Sequence, residues 1–129
     1  MLNDPIADML TRIRNAALQK HRYVNVRSSK LITSLLSVMK ESGFVLDFVC
    51  NEEERETRVF LRYHLNKHSL IKGLKRVSSP GRRIYVGWQD VPVIQNGLGL
   101  ALISTSQGVM SGQKAKDKKV GGEFMCTIW

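Results

Sequence analysis

The chain has 129 residues, of which 43% are hydrophobic and 7% aromatic, and it carries a net charge of +9 at neutral pH. That length and apolar content suffice for one compact domain or for two small lobes with a buried core. The charge favours a polyanionic partner, because lysines and arginines that neutralise phosphates release condensed counterions. The low aromatic content argues against a surface built mainly from stacked bases, and no apolar stretch approaches the roughly 20 residues that span a bilayer.

The first predicted element is an amphipathic helix with a sharp start. Asn3 and Asp4 are typical helix caps, and Pro5 suits the first turn because its missing N–H would be unpaired there anyway. Apolar residues recur on one stripe of this helix, at Ile6, Leu10, Ile13 and Ala17. The opposite face is polar, at Asp8, Thr11, Arg12 and Asn15. This polar face is either solvated or in contact with RNA or protein, and the sequence favours neither interpretation.

A strand, a second helix and a hairpin complete the predicted first lobe. Residues 23–26 alternate as a short strand, and Ser28 or Ser29 caps a helix from about Lys30 that ends at Gly43. The core stripe of this helix comprises Leu31, Ile32, Leu35, Leu36 and Met39. Residues 44–49 and 57–65 are predicted strands joined by an acidic turn at residues 51–56. We therefore predict an α-β-α-β-β lobe over residues 1–66.

The second half, residues 67–129, is predicted to be mainly β with short helices. Residues 70–77 and 82–86 are strand-like, and the Ser-Ser-Pro-Gly sequence at 78–81 is a strong turn signal. One short helical piece is predicted over 90–96, and residues 100–103 form a fully buried strand. Residues 113–119 form a weak basic helix ended by Gly121 and Gly122, and residues 123–129 form a terminal strand. The predicted fold class is α+β, with two small lobes.

The charge is distributed unevenly between the halves. Residues 1–66 hold ten Lys or Arg and eight Asp or Glu, a net charge of +2. Residues 67–129 hold ten Lys or Arg and only three Asp or Glu, a net charge of +7. Attraction to a polyanion should therefore be concentrated in the second half.

Catalytic and metal sites are poorly supported by the sequence. Cys50 and Cys126 lack metal spacing; a disulfide stays open, but two buried thiols are the favoured interpretation. The three histidines have no convincing partner set, and the Gly-Leu-Gly sequence at 97–99 lacks the third glycine of a dinucleotide loop. A hydrolase or nuclease using His64 and the acidic turn is the weakest alternative. We predict no enzyme activity, no metal and no cofactor.

A loop rich in hydroxyl groups stands out in the second half. Its residues, which we call the hydroxyl loop, are Ser104, Thr105, Ser106, Gln107 and Gly108. Hydroxyl groups both donate and accept, so they can bond to 2′-OH groups, phosphate oxygens and base edges. The alternative is a plain turn that caps the helix at 113–119. Local chemistry alone leaves both interpretations open.

A series of motifs runs through essentially the whole chain. The first is Asp-Pro-Ile-Ala-Asp-Met-Leu-Thr-Arg-Ile-Arg-Asn-Ala at residues 4–16. Further motifs follow in order: Ser-Ser-Lys at 28–30, Glu-Ser-Gly-Phe at 41–44, residues 75–85, Gly-Leu-Gly at 97–99, the hydroxyl loop with Val109 and Met110, and Gly-Gly-Glu at 121–123. In these motifs the chain resembles the bacterial small-subunit ribosomal protein eight family, and so many matches in one order make the resemblance specific.

The resemblance implies a structural, assembly-promoting protein that binds the central domain of small-subunit ribosomal RNA, touches neighbouring small-subunit proteins and in some members represses its own messenger RNA. It implies a cytoplasmic, ribosome-bound location, or an organellar stroma or matrix if an organelle encodes the chain, and no membrane partner. The N-terminus lacks a secretory or transit pattern. By this resemblance the hydroxyl loop grips the RNA beside Tyr85, Gly121, Gly122 and Glu123, with Arg14, Ser29 and Lys30 touching RNA from the first lobe.

Four basic residues are further candidates for RNA contact, and the roles of Tyr85 and Trp129 are open. Lys75, Arg76, Arg82 and Arg83 are expected to position the RNA through phosphate contacts. Tyr85 either stacks on an unpaired base or lies in the core. Gln107 replaces the lysine that is more common in the family, so an amide takes the place of one charge. The terminal Trp129 either completes the core or packs on a neighbouring protein.

Overall fold

The structure is a computed structural model, and it describes residues 4–65 and 67–129. Three helices and eight strands follow one another along the described residues, with two short 3₁₀ turns at Trp88–Asp90 and Gln95–Gly97. The helices are α1 (Pro5–Leu18), α2 (Lys30–Glu41) and α3 (Gly112–Asp117). The strands are β1 (Tyr23–Arg27), β2 (Val45–Asn51), β3 (Glu56–Leu61), β4 (Leu74–Arg76), β5 (Tyr85–Val86), β6 (Leu100–Thr105), β7 (Gly108–Ser111) and β8 (Gly122–Ile128). The predicted α+β class is confirmed.

The two long helices begin where the sequence predicts, and α2 also ends where it predicts. The Asp4 side chain accepts a hydrogen bond from the N–H of Ala7, and the Ser29 side chain does the same for Ile32. At the end of α2, Gly43 adopts a φ of +83°, and the N–H of Phe44 reaches back to the carbonyl of Met39. This closure satisfies carbonyls that a helix terminus leaves unpaired. The proposed cap Asn3 lies outside the described residues.

Two antiparallel sheets underlie the two lobes. The first has three strands in the order β1-β3-β2, with Val24 opposite Val59 and Val59 opposite Phe48. The second has the order β4-β8-β6-β7, and β5 also pairs with β8. Strand β8 is thus central: β6 pairs along one side, while β4 and β5 share the other. The C-terminal strand organises the second half.

The apolar stripes of both helices are buried together with residues of both sheets. Met9, Ile13, Leu35 and Leu36 share one cluster with Leu102 of the second sheet. A smaller cluster lies on the other face of that sheet, under α3, and includes Ile103, Met110, Ala115 and Phe124. Strand β6 is therefore covered on both faces, which explains its continuous apolar sequence.

Several predicted boundaries are wrong, mostly in the second half. Strand β3 ends at Leu61, not at 65, and β4 begins at Leu74, not at 70. Strand β5 has only two residues, and the single helical piece predicted over 90–96 is two separate 3₁₀ turns. Strand β7 is not among the predicted strands. For β4, β5 and β7 the physical reason is that these segments owe their conformation to pairing with β8 or β6 rather than to local periodicity.

Candidate nucleic-acid interface

Residues from four neighbouring strands meet at one end of the second sheet. Glu123 of β8 lies opposite Tyr85 of β5 on one side and opposite Ser104 of β6 on the other. One step along, Gly122 lies opposite Val86 and Thr105, and Thr105 lies opposite Gly108 of β7. We call this end of the sheet the hairpin end. The fold thus brings together the hydroxyl loop, Tyr85 and the Gly-Gly-Glu motif, which are up to 38 positions apart in the numbering.

The hydroxyl loop is a tight β-hairpin between β6 and β7. Only Ser106 and Gln107 separate the paired residues Thr105 and Gly108, and Gly108 has a φ of +112°. Thr105 Oγ1 accepts a hydrogen bond of 3.1 Å from the N–H of Gln107 and donates one of 2.8 Å to the carbonyl of Gly108. A left-handed glycine after the two loop residues is a common way to close such a hairpin. The threonine hydroxyl therefore braces the turn.

The remaining polar groups of the turn point outward. Ser106 and Gln107 are exposed, and within the described residues neither side chain makes a hydrogen bond. The turn leads into β7 and does not cap α3; that cap is Ser111, which accepts from the N–H of Lys114. The alternative of a plain helix cap is therefore wrong, and the alcohol of Ser106 and the amide of Gln107 remain available to a ligand.

Two glycines let the strands approach closely at the hairpin end. A Cβ on Gly122 would lie 2.1 Å from the carbonyl oxygen of Ser104, and one on Gly121 would lie 2.5 Å from that of Val86. Both contacts are with backbone atoms, which cannot swing aside. Gly121 and Gly122 therefore do more than end the preceding helix: only glycine fits between β5 and β6 here.

Glu123 is fixed by a small polar network. Its Oε2 accepts hydrogen bonds from the hydroxyl of Ser78 and from Arg83 Nη1, the latter at 3.1 Å. Desolvation raises the pKa of Glu123, but the bonds from Ser78 and Arg83 outweigh it, so the pKa lies below its usual value. Its side chain is only 16% exposed. Glu123 therefore holds the turn containing Ser78 and Arg83 against the sheet.

Tyr85 is at the surface, not in the core. The residue is 69% exposed and has Glu123 and then Ser104 as cross-strand neighbours. Directly opposed residues of antiparallel strands project to the same face. Of the two predictions for Tyr85, burial is wrong, and the ring is free to stack on a ligand beside the serine.

Not every predicted contact residue lies at the hairpin end. Arg82 and Arg83 are exposed and close to it in the chain. Arg76 is instead only 13% exposed, forms an ion pair with Asp4 at 3.1 Å, and donates to the carbonyl of Met125. Lys75 pairs in register with Thr127, four residues along β8 from Glu123 and roughly 13 Å away.

The predicted residues of the first lobe have structural contacts of their own. Arg14 donates to the carbonyl of Leu74 and so joins α1 to β4. Ser29 is the cap of α2, while Lys30 is exposed at its first position. A cleft between α2 and β7 connects this lobe to the hairpin end, lined among others by Ser34, Gly108 and Val109.

Sequence reasoning missed two features beside the hairpin end. Ser78 is fully buried, and its hydroxyl both donates to Glu123 and accepts from the N–H of Ile84. Lys119 has a φ of +56° and its ammonium lies 5.9 Å from the ring centroid of Trp88, whose backbone nitrogen is close to Gly121. The basic composition of residues 113–119 was the one feature of the sequence that indicated a cation at Lys119.

The two cysteines differ in burial, and Trp129 is partly buried. Cys126 is buried, but Cys50 is exposed, so the prediction of two buried thiols is wrong for Cys50, and both thiols are free. Burial raises the pKa of Cys126 to about 12. Trp129 covers Gly73 of its own chain, where an added Cβ would meet the indole at 2.4 Å. Within residues 4–65 and 67–129, no three His, Cys, Asp or Glu side chains are grouped to hold a metal.

Known proteins are similar to this chain over its whole length. Residues 4–129 match the family described as "Ribosomal protein S8". The chain is 53% identical to the small ribosomal subunit protein uS8 of Nitratidesulfovibrio vulgaris strain Miyazaki F, over 100% of both sequences. It is 51% identical to the protein of that name from Oleidesulfovibrio alaskensis, again over 100% of both. The small ribosomal subunit protein uS8 of the Aster yellows witches'-broom phytoplasma is 48% identical, over 100% of this chain and 99% of that protein.

None of the helices in the described part of the chain is long and apolar enough to cross a membrane. The resemblance seen in the sequence motifs, the α+β fold with its two sheets, and full-length identities near one half all lead to one assignment. The chain belongs to the ribosomal protein S8 family.

Proposed function

We propose that this protein is a structural component of the small ribosomal subunit that binds the central domain of its ribosomal RNA through residues 67–129. The relatives named above are small ribosomal subunit proteins by name. The family is not one of enzymes, and the role we assign is to hold RNA in shape during assembly. The protein then acts by binding alone.

One observation carries this proposal: the hairpin end unites an exposed aromatic ring with unengaged hydrogen-bonding groups. Tyr85 offers a face for stacking, and Ser106 and Gln107 offer a hydroxyl and an amide. Irregular RNA is recognised by such a mixture, because splayed bases stack on aromatic rings while 2′-OH groups and base edges take hydrogen bonds. The braced turn presents these groups without further ordering, which lowers the entropic cost of binding.

Charge around the hairpin end favours the same ligand. Arg82, Lys118 and Lys119 are exposed, and Arg83 is half-exposed while it binds Glu123. Phosphate contacts of this kind fix the register of a protein on RNA without reading its sequence. Arg76 is left out of this set because Asp4 and the backbone of Met125 already engage its guanidinium.

The test is a filter-binding titration of a central-domain RNA fragment with the Ser106→Ala variant. Loss of one hydrogen bond to RNA should weaken binding by roughly two- to tenfold, with no change in thermal unfolding. Ser42→Ala is the matched control, because Ser42 is an exposed serine at the C-terminal end of α2. Equal affinities for the wild type and both variants would contradict the proposal.

A second titration tests the electrostatic part of the proposal. Neutralising Lys75, Arg82 and Arg83 together should flatten the dependence of affinity on salt, by roughly 0.7–0.9 for each phosphate that is no longer neutralised. An unchanged slope would remove these residues from the interface. The messenger RNA of the protein's own operon is titrated alongside; by this proposal it binds at the same surface, so Ser106→Ala weakens both complexes.

A further inference from the structure

A groove whose walls include exposed aliphatic side chains opens at the opposite end of the second sheet from the hairpin end. Strand β6 runs from Leu100, which pairs with Ile128, to Thr105, which pairs with Gly122. Five residues of extended chain separate these two ends, or roughly 17 Å. A ligand in the groove would therefore not displace RNA from the hairpin end.

The groove consists of two adjoining clefts between the loop at 91–99 and the end of α2. Their volumes are about 340 and 410 Å³, and they share Ser42, Phe44 and Leu98. Val93 and Ile94 extend the first cleft, while Leu70 and Trp129 extend the second. We call the two clefts together the apolar groove. Each is in the size range of ligand-binding clefts.

Aliphatic side chains are presented to solvent along the groove. Leu98 is 83% exposed and Val93 is 66% exposed. Leaving both in water is unfavourable in the free protein, and covering them on binding is favourable. Trp129 is held in place at the side of the groove by backbone hydrogen bonds. Its backbone N–H donates to the carbonyl of Gly73, and its backbone carbonyl accepts from the N–H groups of Gly73 and Lys72.

The backbone before Leu98 is held in an unusual conformation. Gln95, Asn96 and Gly97 have φ values of +49°, +55° and +91° in succession. Asn96 and Gly97 are residue types that tolerate the left-handed region, whereas Gln95 is of a type that ordinarily avoids it. Hydrogen bonds from the N–H groups of Gly97 and Gly99 to the carbonyl of Ile94 close the turn. Backbone strain of this kind is often retained at functional positions, and here the strained turn places Leu98 in solvent.

The charged side chains that line the groove are lysines. Lys72 lines one cleft and Lys116 lines the other, and the described lining residues of both clefts include no acidic side chain. Arg62 adds a further cation, since its guanidinium is 3.6 Å from where a Cβ on Gly43 would be. Over the described part of the chain, Arg62, Lys72 and Lys116 form no ion pair. Glu41, Asp90 and Asp117 each adjoin a lining residue in the sequence; Glu41 lines the neighbouring cleft beside β7, and Asp117 accepts a hydrogen bond from the side chain of Gln113.

From these observations we infer that the apolar groove is a docking site for an acidic segment of another protein whose apolar side chains cover Leu98 and Val93. The cationic side chains around the groove favour binding of carboxylates, and the exposed aliphatic side chains favour contact with apolar side chains. RNA is attracted to the same cations but gains little from leucine and valine, which neither stack on bases nor form hydrogen bonds. A second copy of this chain is disfavoured, because each copy carries a net charge of +9.

The experiment screens the purified full-length protein against short overlapping peptides that cover the other small-subunit proteins of the same organism. Binding is measured by fluorescence polarisation. The expected binders have a net negative charge and contain apolar residues. Leu98→Asp and, separately, Lys72→Glu should each weaken them by about tenfold, as is typical for like charges placed across an interface. Leu46→Asp, at an exposed leucine on β2, is the matched control and should leave binding unchanged.

Each other outcome overturns the inference. No binding peptide, basic binders, or binders unaffected by Leu98→Asp would each exclude an acidic segment at this groove. A loss of affinity for central-domain RNA in Leu98→Asp would make the groove an RNA surface. A dimer seen by sedimentation in the wild type and absent in the variant would make the occupant a second copy. Should Leu98→Asp lower the thermal midpoint, Val93→Asp repeats the measurement at a second exposed position.

Discussion

The close approach of strands at the hairpin end is tested by the substitution Gly122→Ala. The new methyl would lie 2.1 Å from the carbonyl oxygen of Ser104 and 3.0 Å from the Cα of Thr105. To restore an ordinary contact, β6 and β8 must part by roughly 1 Å, which typically costs about 1–3 kcal/mol as overpacking. Alanine also lowers the conformational entropy of the unfolded chain, which offsets this cost by about 0.4–1 kcal/mol. A net destabilisation of about 1–2 kcal/mol remains.

The assay is thermal unfolding followed by circular dichroism. For a chain of this size, a change of 1 kcal/mol shifts the midpoint by roughly 4 °C, so Gly122→Ala should unfold about 4–8 °C lower. The control is Gly87→Ala, whose added Cβ would approach only the Asp90 carboxylate, at 3.7 Å. Affinity for central-domain RNA, measured where both variants are folded, should fall for Gly122→Ala only. Identical midpoints for the two variants would refute this packing of β8 against β6.

Three further predictions concern the polar network, a helix cap and the thiols. Glu123→Gln should lower the free energy of unfolding by about 1–2 kcal/mol at neutral pH. The pKa of Glu123 is lowered in the folded protein, so its carboxylate stabilises the fold fully above the unfolded pKa of about 4.5. The difference in stability between wild type and variant should therefore shrink as the pH falls below that value. Acid titrations of stability that run parallel for wild type and variant would argue against it. Ser29→Ala should cost about 1 kcal/mol in urea unfolding through loss of the α2 cap, whereas Ser37→Ala, on the exposed face of α2, should cost almost nothing. At neutral pH a thiol reagent should modify Cys50 and spare Cys126, which is buried with a pKa of about 12; modification of both in the folded protein would show that the second sheet opens.

The first lobe could be predicted well because its signals are local. The cap at Asp4, the apolar stripe of α1 and the left-handed Gly43 each act within one or two helical turns. Such short-range determinants leave a clear periodicity in the sequence. The hairpin between β2 and β3 follows for the same reason, since its strands are joined by a short turn.

The second lobe resisted prediction because its short strands are defined by distant partners. Strands β4 and β5 have three and two residues and pair with residues of β8 that lie 36 to 54 positions later in the sequence. Strand β7, only four residues long, contains a glycine and two polar or half-buried positions, so its alternation is too brief to detect. Context fixes such segments, and propensity does not.

The candidate site was predicted in part. Resemblance and local chemistry singled out the hydroxyl loop, but the separate roles within it needed the structure: Thr105 braces the turn, while Ser106 and Gln107 stay unengaged. Arg76 looks like its neighbour Lys75 in the sequence, yet only the structure reveals the partner Asp4, which lies 72 positions earlier. The role of buried Ser78 was equally invisible, because a turn signal does not show where its hydroxyl points.

Directed hydroxyl-radical probing tests the central claim most directly. An iron chelate is tethered to the introduced thiol of a Gln107→Cys, Cys50→Ser variant, and to that of a matched Leu46→Cys, Cys50→Ser variant; the substitution at Cys50 removes the exposed native thiol. If the hairpin end binds the central domain, radicals from position 107 will cut that RNA at a discrete site, and those from position 46 on the first sheet will cut it weakly or not at all. Strong cleavage from position 46 without cleavage from position 107 would contradict the account.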